Sequence, residues 1–239
     1  MLILLQLTPR YLRAVFVISA ASVGVASGST ILPHGVSRAD LCVTEGTIDE
    51  LPSSHRFIVD SPKMRAFVNA EPVQSIEARF TYLGATSHDI PLGSGRMRRQ
   101  FGLKLRAQDA CNLVYVMWRN EPESTLVVSI KENPGQHLSA ECGNLGYRKI
   151  KPLGAVRLPK WRPGDAHTLR AEMTRADMNI YIDDTLAWQG SLGSEVLKWD
   201  EHAGIRSDNV RLQFELRTGP LDQANARNQD CKSEPATAE

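Results

Sequence analysis

The sequence lacks most of the features that announce a chemistry. It has no C-x-x-C pair, no histidine pair at ligand spacing near its cysteines, and no glycine-rich phosphate loop. It also has no G-x-S-x-G elbow; the nearest string, Gly93-Ser94-Gly95, is without the surrounding spacing. Zinc binding, phosphate-loop nucleotide chemistry and a serine hydrolase elbow are therefore disfavoured. A formal net charge of +1 leaves no basic excess of the kind that carries nucleic-acid binding. Aromatic residues make up only 6% of the chain. There is no internal repeat and no long amphipathic helix, which removes solenoids and helical bundles.

What is present is an all-β pattern. The 239 residues are 42% apolar, enough for one sizeable core, and Val, Ile, Leu and Thr fall in short runs bounded by Gly, Pro, Asn and Asp. The clearest stretch is 98–131, which reads as three consecutive antiparallel strands. In the first, Phe101, Leu103 and Leu105 alternate with Gln100, Gly102, Lys104 and Arg106. In the second, Leu113, Tyr115 and Met117 alternate with Asn112, Val114, Val116 and Trp118, so both sides are fairly apolar, as in a central strand. In the third, Leu126, Val128 and Ile130 alternate with Thr125, Val127, Ser129 and Lys131. A slip of one residue would push a whole apolar set into water. Matching the core sets puts Leu113, Tyr115 and Met117 inward and leaves Gln100, Lys104, Arg106, Asn112, Trp118, Thr125, Ser129 and Lys131 on the opposite face. That face is either a solvated surface with Trp118 covered by a loop, or a saccharide platform. In the second case Trp118 stacks on a sugar ring while amide, hydroxyl and guanidinium groups bond its hydroxyls or acidic substituents.

Further strands are expected at 57–59, 76–82, 167–173, 178–182, 185–189, 203–206 and 210–216. Asp183-Asp184 makes a tight hairpin, because a short carboxylate side chain tolerates left-handed backbone. Ser207-Asp208-Asn209 reads as a turn. The long loop at 84–95 carries His88 and Asp89, a surface pair or a contributor to binding. The expected fold is a two-sheet antiparallel β-sandwich at 56–218, preceded by a linker or covering segment at 30–55 and followed by a polar tail at 219–239.

The first 29 residues read as an export signal: Arg10 and Arg13 precede an apolar stretch, and the small residues Ser27, Gly28 and Ser29 follow it. Apolar residues at 2–7 leave an uncleaved membrane anchor open as an alternative. Secreted or periplasmic placement follows, with membrane contact only through that segment. In such a compartment the four cysteines suggest disulfides. Cys111 with Cys142 is favoured because both lie in or beside the sheet core. Cys42 with Cys231 would then tie the ends together, unless these two stay free or pair between chains.

The strings His167-Thr168-Leu169-Arg170-Ala171-Glu172, Asn179-Ile180-Tyr181-Ile182-Asp183-Asp184 and Ala203-Gly204-Ile205-Arg206-Ser207-Asp208-Asn209-Val210 resemble the C-terminal half of the concanavalin A-like lectin/glucanase superfamily, in its laminin-G-like or keto-disaccharide-hydrolase-like forms. Asp184 stands where Gly is usual. The resemblance implies a jelly-roll sandwich and carbohydrate recognition, glycan hydrolysis or lysis, or adhesion. Its laminarinase-like branch implies a Glu-x-Asp-x-x-Glu strand, which this chain does not have. It also implies calcium in many members, for which Asp183, Asp184, Asp208 and Asn209 qualify only by lying on turns.

Three functional readings follow. One is a carbohydrate-binding or cell-envelope interaction module whose basic face favours anionic polysaccharide. Another is a glycan-active lyase or hydrolase with a tyrosine or histidine base beside arginine, for which Tyr115, His137, Arg106 and Arg119 are candidates. A third is a structural envelope protein that binds a partner protein through a sheet edge.

Overall fold

Strands form wherever apolar and polar side chains take turns between turn-forming residues. The computed structural model describes residues 34–219 except 53, 70–72 and 200–201. The signal or anchor at 1–29, the tail beyond Gly219 and the Cys231 end of the expected second disulfide lie outside the described residues.

In chain order the strands are β1 (His34–Gly35), β2 (Leu41–Glu45), β3 (Asp49–Glu50), β4 (Phe57–Val59), β5 (Lys63–Val68), β6 (Ser75–Ala85), β7 (Arg99–Ala107) and β8 (Leu113–Glu121). There follow β9 (Thr125–Lys131), β10 (Tyr147–Lys149), β11 (Gly154–Ala155), β12 (Ala166–Thr174), β13 (Asp177–Ile182), β14 (Thr185–Ser191), β15 (His202–Asp208) and β16 (Val210–Gly219). They make two antiparallel sheets. One runs β11-β14-β13-β12-β6-β16-β4-β3, with β1 added on β16, and the other runs β10-β9-β8-β7-β15-β5-β2. This is the expected two-sheet sandwich.

One large core fills the space between the sheets. At its centre the Phe80 ring meets Phe101, Trp118 and Trp161 edge-on, at centroid distances of 5.0, 5.9 and 5.1 Å. Such contacts are worth about 0.5–1.5 kcal/mol each beyond the area they bury. Asn120 pins the crossing segment that carries Trp161, accepting from the Trp161 amide at 2.7 Å and donating to its carbonyl at 3.2 Å.

The inward set on β8 differs from the expected one. Val114, Val116 and Trp118 point between the sheets, while Leu113, Tyr115 and Met117 point outward into a small satellite cluster with Ala107 and Phe67. Both faces of β8 are apolar, so alternation alone cannot choose between them. Pairing chooses: Phe101 lies opposite Trp118 and Leu103 opposite Val116, and directly opposed residues share a face. Chemistry agrees, since the inward parity buries the largest apolar ring and the outward one leaves the Tyr115 hydroxyl among polar groups.

Three other differences are local. Within the segment at 30–55, expected as a linker or covering segment, β2 forms the edge strand of the seven-stranded sheet, with Leu41 opposite Val68. Ser207 and Asp208 belong to β15, and the chain reverses at Asn209, whose φ is 55°. β5 was not anticipated, because its inward Ala66 and outward Phe67 blur the alternation. The Asp183-Asp184 hairpin is as expected, with φ of 49° and 61°. Cys111 and Cys142 are bonded, joining the β7–β8 connection to a short helix at Ser139–Cys142.

Candidate functional site

The outward face of the seven-stranded sheet is organised in rows across the strands. Asp208, Gln100, Arg119 and Thr125 stand side by side in one row. Arg65, Arg206, Gly102, Met117 and Val127 form the next. Phe67, Gly204, Lys104, Tyr115, Ser129 and Lys149 form the third. Gly102 leaves a gap in the middle row; a Cβ there would come within 2.1 Å of the Val116 carbonyl oxygen. The segment before β7 folds over one end and brings Arg96 and Arg98. The result is a groove of about 370 Å³ lined by Arg96, Arg98, Gln100, Tyr115, Met117, Arg119, Ser129, Tyr147, Lys149 and Arg206, among others.

One carboxylate lies under this groove. Asp208 is fully buried and accepts from Arg65 Nη2 at 2.6 Å, Arg206 Nε at 2.9 Å and Gln100 Nε2 at 2.6 Å. Burial by itself would raise its pKa, but the Arg206 and Arg65 charges and these hydrogen bonds hold it well below the usual carboxylate range. Arg206 is held in turn. Burial disfavours its charge, yet Asp208 and the two neighbouring phenols raise it well above the ordinary value.

The remaining guanidiniums have no such compensation. Arg119 is pushed down to about 10, first by burial and then by Arg98, Arg96 and Arg206, with no carboxylate opposing them. Arg98 is lowered by burial, Arg96 and Arg206, against which Asp208 acts weakly. Arg119 Nε and Gln100 Oε1 are buried without a hydrogen-bond partner. Among the described residues, four guanidiniums thus converge over one buried carboxylate that is already bonded. An anion placed among them would relieve their mutual repulsion and supply charge-assisted acceptors.

Two tyrosines make one wall. The Tyr115 and Tyr147 rings stack with centroids 6.0 Å apart, and the Arg206 guanidinium sits 5.1 Å from the Tyr115 ring and donates to Tyr147 Oη at 3.4 Å. Their phenols are driven apart. Burial, with the neighbouring Tyr147, pushes Tyr115 up against the opposing pull of Arg206 and Arg65. Burial would raise Tyr147 too, but the charges of Arg206 and Lys131 and the Arg206 hydrogen bond outweigh it and its pKa falls.

The residues singled out in the sequence are dispersed. Gln100 and Ser129 line the groove. Lys104 lies on the same face, buried, its ammonium 3.8 Å over the Phe67 ring. Lys131 donates to the Ala110 carbonyl at 3.2 Å and lies 5.4 Å from the centre of the Tyr147 ring. Asn112 is a structural group: its amide donates to Asp109 and the Gln136 carbonyl and accepts from the Asn133 amide. Arg106 donates to the Trp199 and Arg175 carbonyls and does not line the groove. Trp118 is in the interior, 0% exposed, with Nε1 donating to Ser124, so no sugar can stack on it. Among the enzyme candidates, Tyr115 and Arg119 line the groove, while His137 pairs with Asp109 on an exposed loop.

The calcium candidates are engaged elsewhere. Asp183 accepts from Thr168 N and bonds His167 Nδ1, each at 2.8 Å, and Asn209 bonds the backbone of Ile90 and Arg98. Among the described residues no cluster of His, Cys, Asp and Glu converges on a metal position. Arg206, Tyr147, Arg96 and Arg98 are the groups that sequence reasoning passed over, and Asp208 was considered there only as a turn residue and calcium candidate. The basic run Arg96-Met97-Arg98-Arg99 at a strand entrance was the signal available for two of them.

No protein-family model and no curated protein matches the chain. Solved structures similar to it include the carbohydrate-binding module CBM66 from Bacillus subtilis, at 15% identity and TM-score 0.48, covering 73% of this chain and 91% of that one. The metal-free carbohydrate recognition domain of Emp46p is similar at 10% identity and TM-score 0.46, covering 75% and 88%. Domain 4 of AbnA, an extracellular arabinanase from Geobacillus stearothermophilus in complex with arabinotriose, is similar at 9% identity and TM-score 0.43, covering 78% and 85%. These are similarities of chain course at low identity, and nothing about the ligand of this chain follows from them.

Proposed function

We propose that this protein is an exported carbohydrate-binding module that takes an anionic polysaccharide in the groove on the outer face of its seven-stranded sheet. The observation that carries this reading is the convergence of Arg96, Arg98, Arg119 and Arg206 on a groove with no carboxylate among its described lining residues, while Asp208 beneath it is already bonded. Tyr147, exposed at the rim, supplies the apolar surface that the C–H face of a sugar needs, with Tyr115 and Met117 as the wall behind it, and Gln100 and Ser129 supply partners for hydroxyls. Export is supported by the amino-terminal signal-like segment and by the Cys111–Cys142 disulfide.

The test is calorimetric titration with polygalacturonate, alginate and dextran sulfate, with neutral dextran as control, at low and high salt. Binding to at least one acidic polymer should weaken as salt rises, because exposed charges are screened beyond about 10 Å at 0.1 M. Arg119→Gln removes one charge-assisted contact worth about 1.5–3 kcal/mol, a loss of roughly tenfold to a hundredfold in affinity. Equal affinity for neutral and acidic polymers, or no binding to any of them, would remove the reading.

A further inference from the structure

The groove holds more than an anion site needs. Binding an acid calls for guanidiniums and a rigid support, which Asp208 provides. It does not call for two phenols in contact with each other and with the same guanidinium. Arg206 donates to Tyr147 Oη and lies against the face of Tyr115, so both hydroxyls are brought to the place where the arginines would seat a carboxylate. Tyr147 is exposed at the rim, 41% accessible, whereas Tyr115 is buried in the wall at 4%. Two like acids in such unlike surroundings are the arrangement in which one group releases its proton and the other keeps it. The charges that act most on the two phenols, Arg206 and Arg65 with Lys131 beside Tyr147, are cationic and favour a phenolate at the rim; Lys149 lines the same groove, and the one carboxylate bonded to this group, Asp208, lies beneath it on Arg206 and Arg65.

A hexuronate has one weakly acidic C–H, at C5 beside its carboxylate, and that acidity rises when the carboxylate charge is neutralised. We infer that the groove cleaves a 1,4-linked polyuronate by β-elimination, with Arg119 and its neighbouring arginines holding the carboxylate, Tyr147 as the base and Tyr115 as the acid. This rests on the anionic-glycan reading and names the substrate class. The Tyr147 phenolate takes the C5 proton, and the C5–H electron pair becomes the C4=C5 double bond. The C4–O bond breaks, and the departing oxygen takes the Tyr115 proton. Water returns a proton from Tyr147 to Tyr115 between turnovers. No oxidant, reductant or metal enters the balance, and the products are a new chain end bearing an unsaturated uronate and a free hydroxyl on the other fragment.

The full chain is incubated with polygalacturonate, alginate and a 1,4-linked polyglucuronate, reading the ultraviolet absorbance of the conjugated double bond and, separately, reducing ends; binding to the same polymers is titrated in parallel. At least one polyuronate should yield both signals together, and Tyr147→Phe should lower the rate by about a hundredfold or more, the usual worth of a general base. Tyr181→Phe, on the other sheet, should leave the rate unchanged, and circular dichroism confirms that both variants fold. A bound polyuronate that yields no double bond overturns elimination and leaves the binding reading intact. Reducing ends without absorbance overturn it in favour of hydrolysis. No binding to any of the polymers removes both.

Discussion

Replacing Asp208 with asparagine tests the electrostatic design of the groove most directly. Its carboxylate is 0% exposed and neutralises Arg65 and Arg206, each only 12% exposed, at 2.6 and 2.9 Å. Removing one partner of a buried pair leaves uncompensated charge in the interior and costs about 3–5 kcal/mol. Domains are stable by only about 5–15 kcal/mol, so the loss is a large fraction of the total. At about 2–4 °C per kcal/mol for a chain of this size, the melting temperature should fall by roughly 6–20 °C. The pH dependence follows from the direction of the shift. The folded pKa of Asp208 lies below its unfolded value of about 3.9, so its contribution is fully present above that value and is lost as pH falls through the folded pKa. Urea unfolding of the wild type and of Asp208→Asn should therefore differ by a constant amount from neutral pH down to about 4 and converge in stronger acid. A difference under about 1 kcal/mol at pH 7, or one that does not narrow in acid, would show that Asp208 does not hold the arginines as described.

Two further perturbations separate support from site. Trp118→Ala should destabilise by about 3–5 kcal/mol in chemical denaturation, and affinity for acidic polymer should stay within a few-fold at temperatures where the variant is folded. A selective loss of binding with unchanged stability would contradict the interior position of the ring. Replacing Cys111 and Cys142 together opens a link spanning 31 positions and should cost about 3–4 kcal/mol on the chain-entropy account, measured by urea unfolding with and without reductant.

The architecture was legible because the strands with one polar face alternate cleanly. Phe101, Leu103 and Leu105 against Gln100 and Lys104, and Val210, Leu212, Phe214 and Leu216 against Arg211, Gln213 and Glu215, admit one reading each. The Cys111–Cys142 bond was legible for a similar reason, since both cysteines flank the central strands. The groove was not. Tyr147 stands in a three-residue strand whose neighbours give no periodicity, and Asp208-Asn209 has the composition of a turn although only Asn209 turns. Asp208 is also a charged residue at 0% exposure, which a lone sequence presents as surface until its two arginine partners, one of them 143 positions away, are seen beside it.

The position of Trp118 shows how closely stability and site are tied. On β8 the two parities hold side chains of similar greasiness, Val114, Val116 and Trp118 against Leu113, Tyr115 and Met117, so hydrophobic burial alone discriminates weakly between them. The polar atoms decide. With the indole inside, its N–H reaches Ser124 and its ring meets Phe80, Trp161 and His167, while the Tyr115 hydroxyl emerges beside Arg206. Slipped by one residue, the Tyr115 hydroxyl would turn into the core opposite Leu103 or Leu105 without a partner, at a cost of about 1–3 kcal/mol, and the indole would turn out of it. The parity that lets the core close is therefore the one that delivers a phenol to the basic groove. A change that inverts the strand, such as a one-residue deletion in the β7–β8 connection, should abolish acidic-polymer binding and cooperative unfolding together.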